Sequence, residues 1–344
     1  MTFRYNNVYI NETATITGPY ESNGPLSKYF DKSYNDLYFG TKTWENAESK
    51  LIEESVSMLL NKSNKIKSDI DVLVSGDLSN QLTATNYAAL TLGIPLIGIY
   101  SACSTSTLGL IIGSNMIEAK QARNVITATS SHNNAAEKQF RYPVEYGGPK
   151  RKTTTFTSTG GASALLSGEK KGIRIESATL GTVVDLGIKD VYHMGAVMAP
   201  AAGDTIYKHL TDLNIEASYY DLILTGDLGI YGKAILKDYM KENYNINLNN
   251  YDDCGSMIYD MKNQKEITAG GSGPVASALI NYGYIYDMLK KGKYKKVLFV
   301  TTGALFSPTF LFQKQNILGI AHAVSMEAIK WPMFTPFYFA DFFA

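Results

Sequence analysis

Apolar positions fall at two spacings along this chain. Short runs of aliphatic and β-branched residues, bounded by Gly, Asp or Asn, mark buried strands. Such runs occupy Asp71–Leu78, Ile94–Tyr100, Asn124–Ser130, Thr159–Ser167 and Ile173–Gly181. Between some of them, apolar residues recur every three or four positions, which predicts amphipathic helices. One covers Trp44–Asn61 with Ile52, Val56, Leu59 and Leu60 on one side, and a second covers Asn80–Leu92 with Asn80 as its N-cap. A third carries Leu108, Ile111, Ile112, Met116 and Ala119. Residues 3–17 read as β-rich and residues 18–43 as structured loop. Residues 133–155 read as a polar loop holding Lys138, Arg141, Lys150, Arg151 and Lys152.

The pattern repeats. Asp221–Leu228 (DLILTGDL) matches Asp71–Leu78 (DVLVSGDL), including both Asp, the Gly and the final Leu. The block Ser101–Ser130 lines up with Gly273–Thr302, so that Met116 falls on Met288 and Asn124-Val-Ile on Lys296-Val-Leu. Two similarities in the same chain order predict a duplicated β/α unit and an α/β fold class. The halves are read as 1–190 and 191–327, with an aromatic tail at 328–344. The tail is too short and too interrupted by Pro to cross a bilayer.

Chemistry concentrates where the strand Ile94–Tyr100 gives way to a helix. Cys103 lies there among Ser101, Ala102, Ser104 and Ser106. A thiol at a helix N-terminus meets unpaired N–H groups and the positive end of the dipole, which favours a reactive thiolate. The other reading is a buried, inert Cys. The equivalent helix of the second half opens at Ala269-Gly-Gly-Ser-Gly-Pro274. Packed about a pseudo-twofold axis, the two helix starts would converge on one cleft suited to an anion.

Composition narrows the classes. Lys plus Arg and Asp plus Glu both number 32, so no bulk charge draws the chain to nucleic acid. The two Cys make no disulfide framework, and with four His they show no metal-ligand spacing. No signal peptide or membrane-spanning run is read, and no cofactor or metal is assigned.

Strand, Ser-Ala-Cys-Ser, helix and a repeated β/α half resemble the thiolase superfamily with its β-ketoacyl synthases. That resemblance implies a five-layered α-β-α-β-α fold and a homodimer. More specific stretches are Ala136–Gly148, Met194–Ala202, Thr225–Leu228, Ala269–Gly273, Thr302–Leu305 and Ala321–Val324. Together they resemble the stage V sporulation protein AD family of spore-forming bacteria. This implies a binder of dipicolinic acid, pyridine-2,6-dicarboxylate, free or as its calcium chelate, during uptake into the developing spore. It also implies a peripheral place on the cytoplasmic side of the spore inner membrane, beside membrane proteins of the same operon.

Cys103 matches the condensing enzymes' nucleophile. Those enzymes also need a His and an Asn or second His from the C-terminal half. The corresponding positions here read Thr225-Gly-Asp-Leu228 and Ala269-Gly-Gly-Ser-Gly273, and no His occurs between His209 and His322. The departure favours a non-catalytic binding protein over an acyl-thioester transferase or condensing enzyme using Cys103. The residues expected to hold ligand are Cys103, His132, Arg141, Gly270, Gly271 and Ser272. The glycines are read as leaving N–H groups open, so that Gly271→Val would fill the cleft. Asp77 and Asp227 recur in both halves as helix caps or a calcium pair. His193, His209 and His322 are read as structural.

Overall fold

The structure, a computed structural model, describes residues 1–141 and 150–329. In the first half, β1 (Tyr9–Thr17), α1 (Trp44–Ser63), β2 (Val72–Gly76), α2 (Thr83–Leu92) and β3 (Leu96–Gly98) lead to α3 (Thr105–Glu118). Then come β4 (Asn124–Ser131), α4 (Asn133–Phe140) and β5 (Gly160–Ser167). The second half runs β6 (Ile173–Leu180), α5 (Met194–Leu213), β7 (Leu222–Thr225), α6 (Gly229–Tyr244) and β8 (Tyr251–Asp253). It continues with α7, in which Pro274–Leu279, a π-helical stretch Ile280–Ile285 and Tyr286–Lys290 follow without a break. β9 (Lys296–Leu305) and β10 (Leu318–Ala328) complete it.

Strand order makes the duplication explicit: β8-β7-β9-β10-β6 continues into β1-β5-β4-β2-β3. In the first half β2 pairs parallel with β3 and β4, and β5 pairs antiparallel with β4 and β1. In the second, β7 pairs parallel with β8 and β9, and β10 pairs antiparallel with β9 and β6. The halves join where Tyr9 and Ile10 pair with Arg174 and Ile173. The pairing pattern changes over at residues 168–172.

Alternation along the strands separates three cores. Val72 and Val74 of β2, with Leu224, Val297 and Phe299 of the second half, face a central core filled by α3 and α7. Leu73 faces the outer core under α1 and α2, while Ile223, Leu298 and Val300 face the outer core under α5 and α6. The layers are α-β-α-β-α. Equivalent ties repeat as well. The Asp71 carboxylate accepts the N–H groups of Arg123 and Asn124 at the start of β4, and Asp221 accepts those of Lys295 and Lys296 at the start of β9.

Three local expectations change. The strand at Ile94–Tyr100 is shorter, although ladder bonds run from Pro95 O to Ile99 N. Asn80 does not cap α2: Gln81 and Leu82 take φ of 57° and 57°, and the Asp77 carboxylate receives the N–H of Thr85 at 2.7 Å. Part of the polar loop at 133–155 is the helix α4, and residues 142–149 lie outside the described residues. All but the first two residues of the 328–344 tail lie outside them too.

Candidate functional site

Cys103 sits in a single 3-10 turn, Ala102–Ser104, that runs into α3. Ala102 takes φ 47°, a left-handed conformation that costs a non-Gly residue roughly 1–3 kcal/mol. The second half braces this turn. Ser101 Oγ lies 3.1 Å from His322 Nε2, and Thr301 Oγ1 donates to Ser104 O at 3.2 Å. A Cβ on Gly303 would meet Ser101 O at 2.6 Å, so only glycine lets β9 approach this closely. Burial holds His322 down to about 4, so its ring is neutral, as suits a core His.

The loop after β7 brings Asp227 to Cys103. Asp227 is fully buried and accepts Ser272 Oγ and Gly273 N–H, both at 3.1 Å, and Thr302 Oγ1 at 2.7 Å. The Cys103 thiol faces this carboxylate. Burial pushes this thiol well above its ordinary value, and the Asp227 carboxylate pushes it further. The N–H of Gly273 and the Ser272 hydroxyl act in the opposite sense but do not win. The direction is opposite to the lowering expected of a helix start: desolvation and a facing carboxylate both disfavour the thiolate.

Cys103 lines a cavity of about 50 Å³ between the halves. Leu78, Ala136, Phe140, Met194, Met198 and Phe306 give it apolar walls, and Arg141, Thr157 and Ser272 add polar groups. No histidine lines it among the described residues. Phe140 of α4 and Phe306, just past β9, meet across the halves with ring centroids 5.2 Å apart. Tyr100 and Phe306 also border an outer groove of about 430 Å³. Arg141 is one helical turn from Glu137 on α4 and pairs with it through Nη1. Their side chains are only 8% and 6% exposed, and Arg141 Nε is buried with no partner among the described residues.

Residues 1–327 match the family described as stage V sporulation protein AD (SpoVAD). The chain belongs to this family. It is 46% identical over 320 residues to stage V sporulation protein AD of Bacillus subtilis (strain 168), covering 93% of this chain and 94% of that protein. Two solved structures carry the same fold at low identity. The 3-oxoacyl-[acyl-carrier-protein] synthase III of Aquifex aeolicus VF5 aligns with TM-score 0.54 at 14% identity, over 95% of this chain and 100% of that one. A variant of Xanthomonas campestris OleA aligns with TM-score 0.61 at 12% identity, over 94% and 99%. The SpoVAD-family fold of this chain is thus thiolase-like.

The expected site residues divide. Cys103, Arg141 and Ser272 line one cavity. His132 does not: it is fully buried, its Nδ1 caps α4 at Ala135 N–H, and its Nε2 lies 2.7 Å from Leu37 O. Gly270 and Gly271 are behind the cavity. Gly270 O accepts Phe156 N–H, and Gly271 pairs with Phe156 in a two-residue ladder. A Cβ on Gly271 would meet Ile258, Ser158 and Tyr259 and would not enter the cavity. Asp77 and Asp227 serve separate local networks. Sequence reasoning missed Asp227 as the partner of Cys103, and Glu137 as the partner of Arg141. The i,i+4 spacing of Glu137 and Arg141 was the signal for the second.

Proposed function

We propose that this protein binds dipicolinic acid, free or as its calcium chelate, in the cavity at Cys103, and that it serves the ligand's uptake into the developing spore. The observation that carries this reading is the pairing of Cys103 with Asp227. A nucleophile needs a neighbouring base or a lowered pKa. This thiol faces a carboxylate, has a raised pKa and, among the described residues, has no histidine in its cavity. Such a thiol is poorly suited to attack a thioester. At the other side Arg141 offers the planar fork that suits a carboxylate. The apolar and aromatic walls suit a flat ring. Condensing enzymes sharing the fold are the ground for the rival reading, acyl-thioester transfer by Cys103, and the Asp227 contact opposes it.

The cavity is smaller than the roughly 300–1,000 Å³ usual for ligand pockets, so binding parts Phe140 from Phe306 and joins it to the outer groove. We propose further that the protein acts as a homodimer, peripheral to the cytoplasmic face of the spore inner membrane and beside membrane proteins of its operon. The free edge of β3, flanked on α2 by exposed Tyr87 and Leu90, supports self-association. Among the described residues no helix is long and apolar enough to cross a membrane.

Calorimetric titration with dipicolinate, with and without calcium, tests the binding reading. Saturable binding is expected, with no steady turnover of acetyl-CoA or malonyl thioesters. Turnover that disappears in Cys103→Ala would establish the rival.

A further inference from the structure

The binding reading uses Arg141, and two further charges are arranged around it. Glu137 lines no part of the cavity, yet its carboxylate is almost fully buried beside it. It holds Arg141 through Nη1 and faces Lys150 Nζ at 3.6 Å. Lys150 is 42% exposed, so it balances charge without being fixed by packing. The set carries one net positive charge: two cations and one anion. Arg141 lines the cavity, and its Nε is buried with no partner among the described residues. A buried N–H without a partner is costly, and a guanidinium uses neighbouring N–H groups as a fork. One part of the fork is spent on Glu137 and another is left open.

We infer that Glu137 is a positioning residue: it fixes the Arg141 guanidinium so that its Nε edge is preset for one carboxylate of a flat anionic ligand, while Lys150 offsets the charge that Glu137 brings. The inference deepens the binding reading, and rests on it only in taking the anion to be a ligand carboxylate. Glu137 is on α4 and Arg141 is its C-cap residue, and the two are already paired in the absence of ligand. The bond to Glu137 costs affinity as well as lending it, since a carboxylate beside the fork repels an incoming anion. Shape and charge are therefore separable by substitution.

The test uses nitrogen-labelled full-length protein and dipicolinate as probe. The chain has five arginines, at 4, 123, 141, 151 and 174, so its arginine Nε–H spectrum is simple, and Arg141→Lys assigns the signal of interest. Without ligand, the Arg141 signal is expected to be sharp and slow to exchange with water. It stays so in Glu137→Gln and merges with the exposed arginines in Glu137→Ala. With dipicolinate the wild-type signal shifts. Affinity falls about tenfold in Glu137→Ala, the size of one lost charge-assisted bond. In Glu137→Gln it holds or tightens, because the repelling charge is gone and the acceptor remains. A sharp, unmoved Arg141 signal in Glu137→Ala overturns the inference, as do equal losses in the Gln and Ala variants. Binding that leaves the Arg141 signal unmoved also overturns it, while the ligand assignment stands. No binding with the ligand-free signature intact fails the ligand assignment and leaves the Glu137–Arg141 geometry standing.

Discussion

At the scale of single residues, Cys103 and Asp227 decide what the site can do. The thiol's pKa is raised first by burial and then by the facing carboxylate. Asp227→Asn removes the charge and keeps an acceptor, so the thiol pKa should fall and the thiolate fraction at pH 8 should rise. Alkylation of Cys103, followed by peptide mass spectrometry, should speed up about tenfold for each unit of the fall. Cys254 is fully buried and serves as the internal control. An unchanged rate would show that Asp227 does not restrain the thiol. Glu21 is a second buried carboxyl. Its Oε1 accepts Thr159 N–H and the Tyr259 hydroxyl, its Oε2 has no partner among the described residues, and burial pushes it up to about 7 from 4.5. A raised carboxyl pKa means that the folded state holds the proton more tightly than the unfolded chain. The stability this gives is present below pH 4.5 and is lost as pH rises through 7. The loss is about 3 kcal/mol at most. Glu21→Gln should therefore match wild type in melting temperature near pH 4.5 and exceed it by several degrees at pH 8. A gain independent of pH would contradict the assignment.

Among the elements, the strands covered by the internal repeats are legible in the sequence. Residues 72 and 222 each open a strand 150 positions apart, and residues 124 and 296 do so 172 apart, as the internal repeats required. Those strands alternate between two cores, so their patterns are strongly constrained. α4 reads as loop in the sequence because only three of its eight residues, Ala135, Ala136 and Phe140, are apolar; its order comes from the His132 cap and from packing of Ala135 and Ala136. In the loop Gly270–Ser272, Ser272 lines the cavity while Gly270 and Gly271 lie behind it. Its glycines are required by neighbours behind the cavity: a Cβ on Gly271 would lie 2.7 Å from Ile258 Cγ2 and 3.1 Å from Tyr259 Cε2. Gly271→Val should thus destabilise the fold by about 1–3 kcal/mol, as overpacking does. Urea unfolding would register the loss. A variant as stable as wild type but unable to bind ligand would restore the original reading of this glycine.

For the whole molecule, duplication explains where the site is. Residues that follow parallel strands of both halves, Leu78 of the first and Phe306 of the second, line one cavity. The repeated aspartates show how the copies diverged. Asp71 and Asp221 keep the same backbone ties, whereas Asp77 caps α2 and Asp227 faces Cys103. Which equivalent residue acquired a site role depends on what the other half brings opposite it, and that is not encoded locally. On the binding proposal, dipicolinate lies in this cavity, against Arg141 and Cys103. A crystal structure grown with saturating dipicolinate tests this. One carboxylate is expected within about 3 Å of Arg141 Nε, with the ring between Phe140 and Phe306 and Cys103 intact. Ligand density elsewhere, with Arg141 Nε still unpartnered, would contradict it.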